Sequence, residues 1–252
     1  MKKLMIAASA ALIATVGFSL ESANVVGYSE VGLRFGSKGA GACFINVDGQ
    51  PMNLQDIKVT GYDKSAGYED AEVTIQTLDA AGRTIETYTW YDVPGDFTGW
   101  LDSSDNYVED MTVAPGEGLY AGAPNSDFAL QSAGQVVTSD TSVVLRFGSK
   151  HVVNPTPVAI NLNDVNEDGK FLRVIGYDEE IGYEDAEVTV QTLDAAGRTI
   201  ETYTWYDVPG DILGWLDSSD NYVEDVTIAP GESVYAGAPS NSFSLVLPGV
   251  SL

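Results

Sequence analysis

The chain of 252 residues is poor in the side chains that most catalysis needs, with one histidine, one cysteine and 12 basic residues against 37 acidic ones. The lone His151 stands beside an irregular "VVNPTP", and a single imidazole cannot build a duplicated triad, a zinc site or a Cys-His pair. The lone Cys43 excludes an internal disulfide, although export would permit one, and reads as a small buried apolar residue. The formal charge of −25 argues against nucleic acid and anionic membrane surfaces as partners, because phosphate binding needs clustered Lys and Arg. The Gly-rich "KGAGAC" lacks the order and the basic residues of a phosphate loop. Paired carboxylates of the glycosidase kind carry no weight in so acidic a chain. A non-catalytic protein is expected.

Long apolar runs are also scarce. Residues 4–18 form the only one, after Lys2 and Lys3 and before a polar stretch at 19–24. The run is shorter than the ~20 residues a spanning helix needs and has the layout of a secretory signal peptide. Residues 1–23 are read as that signal, with cleavage after Ala23 preferred to cleavage after Ser19, and no membrane span is expected in the mature protein. The remaining length suits two domains, assigned to 24–134 and 135–252.

What is present is a repeat. "LRFGSK" occurs at 33–38 and again at 145–150, and the block at 67–110 returns at 182–225 with three differences in 44 positions. The segments before that block diverge, and the second copy gains "NEDGKFL" after a shared "NL.D". Alternating runs such as "AEVTIQT", bounded by Gly, Pro, Asn and Asp clusters, signal strands, and no sustained 3.6-residue apolar period follows the signal. The fold class expected is all-β, as two tandem homologous β-sandwich or barrel-like domains; one continuous sheet shared by both copies is the alternative.

In "LDAAGRTIETYTW" the order Asp79-Ala80-Ala81-Gly82 suits a type I turn followed by a left-handed glycine. Pairing Asp79 with Arg83 places Ile75 opposite Thr87 and Val73 opposite Thr89, with Ile85 on their face. Tyr88 and Trp90 then turn outward beside Glu72, Gln76 and Glu86. A two- or four-residue loop would reverse this and send the aromatics into the core. In the outward register Tyr88, Trp90 and Trp100, with Tyr203, Trp205 and Trp215 in the second copy, form candidate platforms for stacking sugars or contacting protein.

Two acidic stretches have the chemistry of a hard-cation site. "DVNEDGK" places Asp164, Asn166 and Asp168 at alternate positions before Gly169, as in the first half of an EF-hand loop, but Ile175 stands where the twelfth-position Glu is needed. "WLDSSDNYVED" offers Asp102, Asp105, Asn106 and Glu109, and its second copy Asp217, Asp220, Asn221 and Glu224. Calcium is the one cofactor these residues suggest. Solvated turns are the plainer reading of both stretches.

The start "SANVVGY", the segment "YTWYD...GW" and the turn "APGEGLYAG" resemble a loosely defined group of exported bacterial β-repeat proteins with an "ANxVGY"-like start and a "PGxGxW/Y" hairpin, mostly of unassigned function. The resemblance implies export by a Gram-negative-type cell, to the periplasm, surface or exterior. The reading is a structural or adhesive protein that self-assembles or holds an extracellular glycan or protein. The alternative is a carbohydrate-binding protein using exposed Tyr and Trp platforms.

Overall fold

The computed structural model describes residues 26–33, 36–40, 44–45, 50–65, 73–79, 81–123, 127–146, 148–165, 168–177, 180, 188–194, 196–208, 210–238 and 242–250. The expected signal at 1–23, Cys43, Glu72 and Asn166 lie outside them. The chain is all-β, and its only helical turn among the described residues is a 3-10 turn at Leu54–Asp56.

The first repeat runs through β1 (Val26–Leu33), β2 (Gly36–Ala40), β3 (Phe44–Ile45), β4 (Met52–Asn53), β5 (Lys58–Thr60), β6 (Thr74–Leu78), β7 (Thr84–Val93), β8 (Phe97–Leu101), β9 (Thr112–Val113), β10 (Leu119–Ala123) and β11 (Phe128–Val136). The second runs through β12 (Thr141–Leu145), β13 (Gly148–Val153), β14 (Ile160–Asn161), β15 (Arg173–Ile175), β16 (Thr189–Leu193), β17 (Thr199–Val208), β18 (Ile212–Leu216), β19 (Thr227–Ile228), β20 (Ser233–Ala238) and β21 (Phe243–Leu247). Each repeat has one antiparallel five-stranded sheet, ordered β2-β10-β6-β7-β8 or β13-β20-β16-β17-β18. A smaller sheet is built on β11 in the first repeat and on β21 in the second.

The hydrophobic cores are separate. One draws Val31, Leu33 and Leu130 from the smaller sheet onto Val73, Ile75, Trp90 and Trp100 of the larger. The other repeats the arrangement with Val143, Leu145 and Leu245 against Val188, Val190, Trp205 and Trp215. The named strands of the two repeats fall in different sheets, joined only by an isolated bridge between Glu117 and Val152 among the described residues. The expected division after residue 134 falls inside β11, whose last residue, Val136, still belongs to the first core. β12 of the second repeat starts at Thr141. The C-terminal segment returns to the stretch between these strands, with the Val250 N–H donating to the Val137 carbonyl at 3.1 Å.

The hairpin register departs from the expectation by one residue. The turn itself forms as its sequence demands: Asp79 N–H donates to the Arg83 carbonyl at 2.9 Å, Gly82 N–H to the Asp79 carbonyl at 2.9 Å, and Gly82 takes φ +76°. Leu78 then pairs with Thr84, but the next pair is Thr77 with Glu86, so Ile85 is bulged out. The slip continues as Ile75 opposite Tyr88, with Trp90 N–H donating to the Val73 carbonyl. Ile200 does the same between Leu193–Thr199 and Thr192–Glu201. Since side chains alternate along a strand, one extra residue exchanges the faces. Ile85 and Ile200 are 66% and 65% exposed, while Trp90 and Trp205 are buried. The gain is two large aromatics per repeat in the core in place of one isoleucine. Glu86 escapes full burial at the sheet end, where it accepts from the Ser103 hydroxyl at 2.9 Å.

Candidate functional site

Of the six aromatics expected as platforms, five are buried in the cores and Tyr88 is partly buried against one, which corrects that expectation. Trp100 and Trp215 have no exposed surface, Tyr203 is buried, and Tyr88 packs against the first core. Trp90 meets Trp100 edge-on at 5.3 Å and 68°, and Trp205 meets Trp215 at 5.3 Å and 67°. Trp100 Nε1 donates to the Ile57 carbonyl at 2.7 Å and Trp215 Nε1 to the Leu172 carbonyl at 2.8 Å. The inserted "NEDGKFL" therefore ends by supplying the acceptor that Ile57 provides in the first copy.

A side-chain amide, half-buried at Gln55 and buried at Asn163, holds each Gly-Trp pair in place. Gln55 Nε2 donates to the carbonyls of Trp100 and Val108, both at 2.9 Å, and Gln55 Oε1 accepts from Trp100 N–H at 3.1 Å. Asn163 makes the same three bonds with Trp215 and Val223 at 2.7–2.8 Å. A side chain on Gly99 or Gly214 would collide with that amide. Sequence reasoning passed over Gln55 and Asn163, although both copies carry an amide residue directly after the shared Asn-Leu.

The acidic turns spend their oxygens on their own backbones. Asp102 Oδ1 accepts from Ser104 N–H at 2.8 Å and Asn106 N–H at 2.9 Å, and the Asn106 carboxamide donates to both carboxylate oxygens. Asp105 sits at φ +62° to close the turn. Asp217, Asp220 and Asn221 repeat the pattern at Ser219. These bonds, that of the Asn106 backbone foremost, hold the Asp102 carboxyl below its ordinary range, and the Asn221 backbone acts likewise on Asp217. Asp164 accepts from the N–H groups of Asp168 and Gly169, and Asp168 from that of Lys170. At Glu109 the backbone carbonyl is what the fold uses, as the acceptor for Asn53 Nδ2. Among the described residues no three acidic, His or Cys side chains converge as a metal site would require.

A further titratable pair, Tyr62 and Asp92, is structural in character. Tyr62 donates to Asp92 Oδ2 at 2.5 Å and Thr98 to Oδ1 at 2.7 Å. Burial, and then the Asp92 bond, push the phenol up to about 12, too high for proton transfer near neutrality. Tyr177 and Asp207 pair alike at 2.7 Å.

The copies meet along β13. A Cβ on Gly82 would strike the Ser149 carbonyl, one on Gly148 the Ala81 carbonyl, and one on Gly39 or Gly118 the His151 side chain. Val152 bridges to Glu117, and Val153 N–H donates to the Gly116 carbonyl at 3.0 Å. His151 is buried there, its ring stacked on Tyr120 (centroids 5.5 Å apart, 19°) and tilted against Tyr235 (5.0 Å, 52°). Burial pulls its pKa down to about 4, so it is neutral at pH 7.

Beside His151 the sheets leave a cleft of about 430 Å³. Each copy lines it with the same residues: Gln76, Thr84 and Tyr120 from one, Gln191, Thr199 and Tyr235 from the other, with Leu78 and Leu193 below. Among the described residues the lining contains no charged side chain. Within each copy the hydroxyl donates to the amide oxygen, Thr84 to Gln76 at 3.0 Å and Thr199 to Gln191 at 2.9 Å.

No curated protein and no solved structure matches the chain. A family model does, over two segments that end shortly after the buried Gly99-Trp100 and Gly214-Trp215 pairs. A GW (Gly-Tryp) dipeptide domain is thus found twice, at residues 46–105 and 164–220.

Proposed function

We propose that the chain is an exported, non-catalytic protein of the bacterial surface, in which two GW repeats dock into one structural or adhesive unit. The observation that carries the reading is the doubled GW match, since such repeats are typical of surface proteins. Three features support it. The recurring Trp pair and its amide clamp serve packing. The acidic turns are folded onto themselves. The tight seating of β13 on the first repeat gives a stiff two-unit body suited to displaying a surface rather than to turning over a substrate.

The test is protease shaving of intact cells that express the full chain, with a variant lacking residues 1–23 as the control. Digestion of the full chain alone, with the variant retained inside, is the expected result. Equal protection of both would sink the surface assignment.

A further inference from the structure

We infer that the cleft between the repeats is a binding site for an uncharged saccharide, with Tyr120, Tyr235, Gln76 and Gln191 as its contacts. The inference stands apart from the cellular location proposed above, because it rests on the geometry of the cleft alone.

The first ground is chemical selectivity. On a chain with a formal charge of −25, a concave surface whose described lining holds no charged side chain is set apart from its surroundings. It offers a cation no carboxylate and an anion no Lys or Arg. What it offers are carboxamides and phenol hydroxyls, groups that both donate and accept, as sugar hydroxyls do. Because Thr84 and Thr199 engage the amide oxygens of Gln76 and Gln191, each carboxamide has its N–H pair left to give to a ligand oxygen.

The second ground is shape. The volume of about 430 Å³ is within the ~300–1,000 Å³ usual for small-ligand sites. Tyr120 and Tyr235 are 38% and 37% exposed beside a His151 ring that holds them in place, so their remaining faces are open to the apolar face of a pyranose.

An extended peptide fits less well. Gln76, Thr84, Tyr120, Gln191, Thr199 and Tyr235 all stand on strands interior to their sheets, and the one edge strand in the lining, β13, bonds through Val152 and Val153 to the first repeat, so among the described residues the cleft offers little edge for strand addition. Both repeats are needed, because each supplies half of the donors. The site arises from the docking and not from either GW repeat alone.

The experiment uses residues 24–252 and saturation-transfer NMR with isothermal titration. The probes are cellotetraose, maltotetraose, xylotetraose and chitotetraose, with tetragalacturonate as the anionic control. At least one neutral tetramer should bind, with magnetisation transferred from tyrosine protons. Gln76→Ala with Gln191→Ala should weaken binding at least 10-fold while the melting temperature stays near that of the parent. Tyr235→Ala, a second exposed position, should do the same. The inference is overturned if none of the four neutral sugars binds at 10 mM, if tetragalacturonate binds more tightly than all of them, or if both folded variants bind as the parent does.

Discussion

His151 fills the space above the Cα of Gly39, the residue that holds its own position in the other repeat. "GSKGA" and "GSKHV" are equivalent strands, and at the fourth residue one copy has a ring where the other has nothing. The pattern recurs at Gly118, whose added Cβ would meet His151, whereas its counterpart Ser233 lies with its hydroxyl 3.5 Å from Nδ1. The two copies thus differ where they touch, with a ring at His151 set against glycines at positions 39 and 118.

Gly39→Val should therefore separate the repeats without unfolding them. The valine has no room beside the imidazole, yet Gly39 is no member of either core. Faster cleavage between residues 137 and 142 and faster amide exchange at Val153 are expected, with near-parent circular dichroism. Unchanged exchange at Val153 would contradict the docking described.

The pH dependence of stability should carry a histidine component. His151 titrates at about 4 when folded, against 6.5 for its ordinary value. Between those limits the unfolded chain takes up a proton that the folded chain refuses. Stability is therefore complete above pH ~6.5 and falls as the pH drops toward 4, by about 3 kcal/mol in full. The rings of Tyr120 and Tyr235 and the Ser233 hydroxyl face the imidazole. His151→Phe should remove this slope in urea titrations between pH 4.5 and 7.5.

Substitutions in the β6–β7 hairpin read its register directly. Trp90→Ala should cost about 3–5 kcal/mol, as expected for emptying a buried aromatic site. Ile85→Thr should stay within about 0.5 kcal/mol, as at an exposed position. The reverse ranking in denaturant unfolding would restore the outward register.

Loss of the amide clamp should be costly for so small a change. Asn163→Ala leaves the Trp215 N–H and two carbonyls without a buried partner, and about 1–3 kcal/mol is expected for such groups. Asn163→Asp should be worse, because it turns a carboxylate oxygen toward two carbonyl oxygens. Chemical denaturation of the two variants measures both.

Asp102→Ala should lower the melting temperature, and Asp102→Asn, which keeps the Oδ1 acceptor, should lower it less. If the turn serves itself, the losses will match in calcium and in chelator. A loss confined to calcium buffer would mark Asp102 as a cation ligand.

Much of the fold was legible in the residues. Alternating β-branched and aromatic residues gave the strands, and Asp79 with Gly82 gave the turn. The single bulge at Ile85 was not legible: its local cost is small and its benefit, burial of Trp90 against Trp100, depends on a strand that arrives later in the chain. The acidic turns misled because a carboxylate bonded to backbone amides and one awaiting a cation have the same sequence. Nor could the cleft be seen, since Gln76 and Tyr120 become neighbours of Gln191 and Tyr235 only after the two copies dock.

The seating of β13 also sets a limit on growth. A protein made of like units can extend into a fibre if each unit offers its neighbour the same contact it receives. Here the receiving surface at Gly39, Gly82 and Gly118 is already occupied by the chain's own second half. By this contact the molecule is self-terminating: its valence is spent at two, and any larger array must be joined through other surfaces.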